Sequence, residues 1–254
     1  MYGVVLDKLP RLTVIELHGY KGWTEILGYD REWLIQLRQS ELYSLIQKLF
    51  SRNQGFVFPL RYDYYIALSN GIDKKVHEEI FTALLKSSPV PIRMVSVSNP
   101  YPLSAQLIAT RILAYSTKNF HYIEGGEDPL TILHIDVNNV IKTTYDTSIY
   151  EAYVEIIGFF NEIASIATRY GGISGYLGGD NIMVVIPLEN MMKFVEIIPD
   201  YVKVGIGVSY TPRKSIELAT KALDKIRTSR NKKMVIYVEP SLDQELKPLL
   251  QAMG

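Results

Sequence analysis

Four carboxylates at two nearly equal spacings constrain this chain more than any other feature. Glu16 and Asp136 each interrupt an apolar, β-branched run, and they lie 120 residues apart. Asp63 and Asp180 each sit between two β-type runs, in Arg61-Tyr62-Asp63-Tyr64 and Gly178-Gly179-Asp180-Asn181, and they lie 117 residues apart. The order of elements around both pairs is the same: strand, helix, hairpin, helix, strand, helix and a further strand. Such an internal repeat predicts two copies of one domain, each of about 110 residues.

The chain supports that order in detail. Leu12–Leu17 reads as a buried strand, followed by an irregular loop over His18–Trp23. Asp30 is placed to cap a helix reaching Phe50, with Trp33, Leu34, Leu37, Leu42, Leu45, Ile46 and Leu49 as its apolar stripe. Gly55–Leu60 and Tyr64–Leu68 form a hairpin, and Asn70-Gly71-Ile72-Asp73 stops it and starts a helix to Lys86. A strand over Val90–Val97 and a helix over Pro102–Ala114 follow. Asn119–Pro129 holds glycines, acidic residues and a proline, which makes it the best break in the chain. The expected domains are therefore residues 1–118 and 131–254, joined by a linker over 119–130.

The second half gives a strand at Thr131–Val137 and a helix at Tyr150–Tyr170. The hairpin Ile173–Leu177 with Ile182–Ile186 comes next, then a short helix over Glu189–Ile198. A strand at Val202–Ser209, a helix at Lys214–Thr228, a strand at Met234–Val238 and a short tail complete it. A β-α-β-β-α-β order is ferredoxin-like, and the extra helix and strand match the palm of polymerases and nucleotidyl cyclases. The expected fold class is α+β: two tandem ferredoxin-like/palm domains with antiparallel sheets covered by helices.

In that topology the first strand of each half lies beside its hairpin, so Asp136 and Asp180 are expected to converge on one ion. A carboxylate on an apolar strand is costly without a partner, and two close carboxylates repel unless a cation holds both. Mg²⁺ suits the task, since it takes one or two carboxylates and fills its other positions with water and phosphate oxygens. The Gly178-Gly179 turn leaves room for a phosphate, and the loop Val137–Ile141 has backbone N–H groups to offer it. Asn138, Asn181 and Tyr145 are placed either to contact a nucleotide or to stabilise turns. Among the basic residues near the C-terminus, Arg227 is the one in reach of a phosphate; the others read as solvated.

Composition excludes several alternatives. Lysine plus arginine and aspartate plus glutamate number 27 each, which argues against a broad nucleic-acid-binding surface. There is no cysteine, so disulfides, zinc-thiolate sites, iron–sulfur clusters and cysteine nucleophiles are excluded. No long apolar run suggests a membrane span, and the N-terminal residues do not read as a signal peptide, so a cytoplasmic protein is expected. Gly205-Ile206-Gly207 lies within a strand and lacks the third glycine of a dinucleotide fingerprint.

The stretches Ile66–Asp73, His134-Ile135-Asp136-Val137-Asn138, Thr144-Tyr145-Asp146-Thr147, Gly178-Gly179-Asp180-Asn181 and Gly205-Ile206-Gly207-Val208, in this order and spacing, resemble the archaeal GTP cyclohydrolase III family. The resemblance covers nearly the whole chain. It implies two tandem palms related to class III nucleotidyl cyclases and GGDEF diguanylate cyclases. The implied reaction opens the imidazole ring of GTP to 2-amino-5-formylamino-6-ribosylamino-4(3H)-pyrimidinone 5′-phosphate with release of two phosphates. It also implies a Mg²⁺ requirement and K⁺ as activator. The apolar and tyrosine surface of the helices and sheets suits a self-complementary interface, so a homodimer or homotetramer is expected. The implied catalytic and metal-holding residues are Asp136, Asp180 and Asp63, with Glu16 and His18 as further ligand candidates. Asn138, Asn139, Gly178, Gly179 and Asn181, with Gly19 and Tyr20, are the candidates for the nucleotide. The chain departs from the family pattern where His18-Gly19-Tyr20 stands in place of Asp-Asn-Tyr, and where Asn139 replaces an acidic residue. Two alternatives stay open on these residues: a nucleotidyl cyclase of the same fold, and a catalytically inactive nucleotide-binding palm protein.

Overall fold

The computed structural model describes residues 10–126, 128–137, 140–229 and 233–252. They form two compact units: the first runs to Pro100 and resumes over Ser104–Asp128, and the second takes Tyr101–Leu103 and everything from Pro129 onward. The first unit is built from β1 (Arg11–Leu17), α1 (Tyr20–Ile26), α2 (Glu32–Arg52), β2 (Phe56–Pro59), β3 (Tyr64–Leu68), α3 (Lys74–Ser87), β4 (Ile92–Ser98) and β5 (Phe120–Tyr122); α4 (Pro102–Tyr115) lies between its last two strands in sequence. The second holds β6 (Leu130–Val137), α5 (Val140–Asp146), α6 (Ile149–Arg169), β7 (Ile173–Gly178), β8 (Asn181–Ile186), α7 (Met191–Ile197), β9 (Val202–Ser209), α8 (Pro212–Ser229), β10 (Met234–Val238) and α9 (Pro240–Ala252).

Each unit has one five-stranded sheet, ordered β2-β3-β1-β4-β5 in the first and β7-β8-β6-β9-β10 in the second when read from the hairpin edge. The fold is α+β with helix-covered sheets, and the repeated order is the same strand for strand. Four strands of each sheet are antiparallel, whereas the last edge strand runs parallel to its neighbour. A parallel neighbour requires a crossover, and in sequence α4 and α8 are the helices that precede these edge strands.

Alternation along the strands decides what each sheet face meets. Ile15, Leu17, Tyr65, Ala67, Ile92 and Met94 pack against Leu42, Ile46 and Phe50 of α2 and against Ile80 and Leu84 of α3. In the second unit Leu133, Ile135, Ile182, Val184, Val204 and Ile206 pack against Phe159, Ile163 and Ile166 of α6 and Phe194 of α7. The helical residues recur at steps of three and four, so one stripe of each helix is buried. Asp73 caps α3 by accepting from Val76 N at 2.8 Å. Ser148 caps α6: its Oγ accepts from Glu151 N at 3.1 Å and donates to Glu151 Oε2 at 2.8 Å.

Several local expectations are corrected. The stretch after β1 is the short helix α1 rather than an irregular loop. α2 begins at Glu32 behind Arg31, which makes no side-chain cap bond, so Asp30 is not its cap. Phe120–Tyr122, inside the expected linker, is strand β5 of the first sheet and pairs with Met94–Ser96. α5 and α9 are helices where a loop and a tail were expected.

On the opposite face of the second sheet, α8 approaches β9 at backbone contact. A Cβ on Gly205 would lie 2.1 Å from Ala219 O, and one on Gly207 would lie 1.9 Å from Ser215 O. No side chain fits there, which explains the Gly-Ile-Gly pattern by packing alone. Gly207→Ala should therefore destabilise the protein by the about 1–3 kcal/mol of an overpacked site or more. Gly22→Ala, in helix α1 with open space around it, should be neutral or stabilising by up to ~1 kcal/mol. Urea unfolding checks the pair; a Gly207→Ala midpoint equal to that of the unsubstituted protein contradicts the packing argument.

Candidate functional site

The α8-facing side of β6 carries Ile132, His134 and Asp136 in alternation. Asp136 is buried at 6% exposure, next to the strand's end. Its cross-strand neighbours are Asn181 on β8 and Lys203 on β9. The expected neighbour was Asp180; the register sets Asn181 there instead, because Asp180 occupies the turn one residue earlier.

Asp136 receives a cation from α8. Arg227 donates Nε at 3.1 Å and Nη2 at 2.8 Å, both to Asp136 Oδ2, and its Nη1 donates to Asp224 Oδ1 at 3.2 Å. The carboxylate is nearly enclosed while the guanidinium is half exposed, at 8% and 46% of their side chains. Asp136 Oδ1 takes no donor from any described side chain or backbone group. These bonds also raise the pKa of Arg227, its bond to Asp136 being the largest cause.

The hairpin supplies the second carboxylate. Gly178 pairs with Asn181, leaving Gly179 and Asp180 as a two-residue connection. Gly178 and Gly179 have φ of 97° and 60°, which a side chain would resist. Val137 N donates to Asp180 O at 3.2 Å, tying the turn to the end of β6. Asp180 Oδ1 accepts from Asn181 Nδ2 at 2.8 Å, and Asn181 Oδ1 lies 2.8 Å from His134 Nε2. Burial pulls the His134 imidazole below its ordinary pKa, opposed by the Asn181 bond and by the negative charge of Asp136 and Asp180. Asp136, Asp180, Asn181, His134 and Arg227 therefore form one cluster. Asn138 and Asn139 lie outside the described residues.

The first unit repeats the backbone but not the chemistry. Glu16 faces Tyr64 and Arg93, as Asp136 faces Asn181 and Lys203, and Leu17 N donates to Asp63 O at 2.8 Å, as Val137 does to Asp180. Both carboxylates have cationic partners. Glu16 accepts from Tyr64 Oη at 3.1 Å and pairs with Arg93 at 3.4 Å, with His18 Nδ1 also 3.4 Å away. Asp63 takes a two-pronged bond from Arg61, at 3.2 and 2.8 Å. Gly19, in the left-handed region at φ 78°, begins α1, and Tyr20 accepts from Gln39 and packs on Trp23 with ring centres 5.6 Å apart. Among the described residues no three of His, Asp and Glu converge as a complete metal cage in either unit.

Two members of the cluster carry signals that residue type alone does not announce. His134 shares a strand face with Asp136 by simple alternation, which the sequence displays. Arg227 lies 91 residues from Asp136, and only the phase of α8 on the sheet brings it there.

The model of the family described as GTP cyclohydrolase III matches residues 12–239. A protein named GTP cyclohydrolase III from Aeropyrum pernix is 37% identical over 228 residues, covering 88% of this chain and 95% of that protein. Another of that name, from Saccharolobus solfataricus, is 34% identical over 224 residues, covering 87% and 96%. Among solved structures, the active GGEEF domain of a diguanylate cyclase from Vibrio cholerae covers 55% of this chain and 92% of its own length, at 14% identity and a TM-score of 0.39.

The Asp136–Arg227 pair has a measurable weight. Arg227→Met should lower stability by about 1–2 kcal/mol, because it strands a buried carboxylate whose partner is half exposed; fully buried pairs cost ~3–5. Asp224→Ala, which removes only an exposed partner of the same guanidinium, should cost under ~0.5 kcal/mol. Equal losses in denaturant titrations of the two variants would contradict the assignment.

Proposed function

The chain belongs to the GTP cyclohydrolase III family, and from that premise we propose that it is a Mg²⁺-dependent hydrolase of GTP whose cation site is the Asp136–Asp180 pair. The observation that carries the reading is the buried carboxylate of Asp136, beside a second carboxylate on a glycine-built turn. The donor set suits a hard ion: two carboxylates without thiolates, and an Asp136 Oδ1 that no described protein group occupies. Mg²⁺ keeps several positions for water and phosphate, so a two-carboxylate seat without a third protein ligand is what it needs. Bound there, such an ion supplies Lewis-acid polarisation of phosphoryl oxygens and a water of lowered pKa.

The chain's own groups do the rest. Arg227 neutralises Asp136 in the absence of substrate, and its half-exposed guanidinium is long enough to turn toward a triphosphate. Gly178, whose Cβ position meets nothing within 4 Å, leaves the approach to Asp180 open. Asn181 fixes the Asp180 carboxylate. The overall reaction consumes three waters. One adds at C8 and opens the imidazole ring with the formyl group retained, and two cleave the phosphoanhydride bonds to release two orthophosphates. K⁺ is proposed as an activator.

We further propose self-association. Ile149, Tyr150, Tyr153 and Val154 lie exposed along the start of α6, beside exposed Tyr145. Large apolar side chains at that spacing suit a self-complementary interface. Light scattering should give a dimer or tetramer at micromolar protein; a monomer mass contradicts the proposal.

The reaction is tested with GTP, Mg²⁺ and K⁺, following guanine absorbance and released phosphate. Ring opening with two orthophosphates per GTP is expected. Pyrophosphate with an intact base would make the protein a cyclase instead, and binding without turnover would make it a sensor. Asp136→Asn and Asp180→Asn should each lower kcat/KM by more than the ~10–100-fold typical of outer-shell groups. Full activity in either variant contradicts the cation assignment.

A further inference from the structure

The hydrogen bonds around the hairpin assign a direction to each of their protons. A carboxylate only accepts, so Asn181 must turn its amide nitrogen toward Asp180 Oδ1, where it lies at 2.8 Å. The amide oxygen then faces His134, and it too can only accept. His134 must therefore carry its proton on Nε2, which donates to Asn181 Oδ1 at 2.8 Å. In the neutral ring Nδ1 is left as an acceptor, and the hydroxyl that faces it is Thr220 of α8, at 3.4 Å. Thr220 and Arg227 are seven residues apart on α8, two helical turns, so one face of that helix meets both His134 and Asp136.

We propose that His134 is a positioning residue, holding the Asp180 carboxylate toward the cation through the amide of Asn181. This rests on the proposed cation site at Asp136 and Asp180. A hairpin tip two residues long has little to fix a side chain rotamer, and Asp180 has no other described side-chain donor. Asn181 is held at both ends of its amide: at one by Asp180, at the other by the half-buried imidazole of His134, which Thr220 faces on its far side. The arrangement resembles the hydrogen-bonded partners that orient metal-holding side chains generally, whose loss costs 10–100-fold in affinity.

The test uses the full-length protein and Mn²⁺ alone as probe, with free ion counted by electron paramagnetic resonance in the absence of GTP. His134→Met should weaken Mn²⁺ binding about 10–100-fold. It should raise the Mg²⁺ concentration for half-maximal turnover similarly, while leaving kcat at saturating Mg²⁺ within about threefold. His134→Gln, whose amide N–H can reach Asn181 Oδ1, should recover most of the loss. Unchanged Mn²⁺ binding in His134→Met, with Asp136→Asn and Asp180→Asn both weakened, overturns the positioning role alone. Unchanged binding in the two aspartate variants overturns the cation site, and the positioning role with it. Should His134→Met fail to fold, nitrogen-15 spectra of the unsubstituted protein decide: the Nε2–H tautomer of His134 is expected, and the Nδ1–H tautomer overturns the proposal.

Discussion

The chemistry of the second unit depends on how closely α8 can lie on β9. Gly205 and Gly207 let the helix backbone reach the sheet, with Ala219 and Ser215 at distances that exclude any Cβ. That approach sets the phase of the helix. Thr220 then falls over His134 and Arg227 over Asp136. A strand carrying side chains at those two positions would lift the helix and move both groups. The pairing of Asp136 with Arg227 is thus a consequence of backbone packing about twenty residues away in sequence, and the buried carboxylate is tolerated because that packing brings it a cation.

The two units show how one backbone plan supports two electrostatic outcomes. The central strand of each ends against the carbonyl of a hairpin aspartate, and a carboxylate precedes that contact by one residue. In the first unit the neighbouring positions are Tyr64 and Arg93, and Arg61 stands two residues before Asp63. Its carboxylates are held by arginines that the fold itself supplies. In the second, Asn181 takes the place of Tyr64 and Lys203 that of Arg93, and no described cation pairs with Asp180. It is there that the proposed cation would be held, on Asp136 and Asp180. In the first unit the residues after β1 are His18 and Gly19, and Gly19 caps the short helix α1 in the left-handed conformation.

Much of this was legible in the sequence because β-branched apolar runs are unambiguous. Val202–Ser209 and Met234–Val238 emerge with the expected bounds, and the carboxylate spacings anticipated which residues the two sheets place alike. The short elements were not legible. α1 contains Gly22, and three-residue β5 has no room for alternation to declare itself. α9 carries Pro248, which argues against a helix in sequence. At the site, register was the limit. Whether Asp180 or its neighbour faces Asp136 depends on a turn of two residues, and a slip of one reverses every side chain. His134 was visible as the alternate residue to Asp136, but its role needed Asn181 to be placed. Arg227 could be suspected of reaching a phosphate, yet its partner in the folded chain is a carboxylate.

The proposed divalent cation lies in the second unit, on Asp136 and Asp180, and not on the matching carboxylates of the first. Anomalous diffraction from crystals grown with Mn²⁺ and a non-hydrolysable GTP analogue would locate it. Anomalous density is expected between the carboxylates of Asp136 and Asp180, with Arg227 withdrawn from Asp136 toward the phosphates. Density beside Glu16 and Asp63 alone, with Asp136 still bound to Arg227, would contradict it.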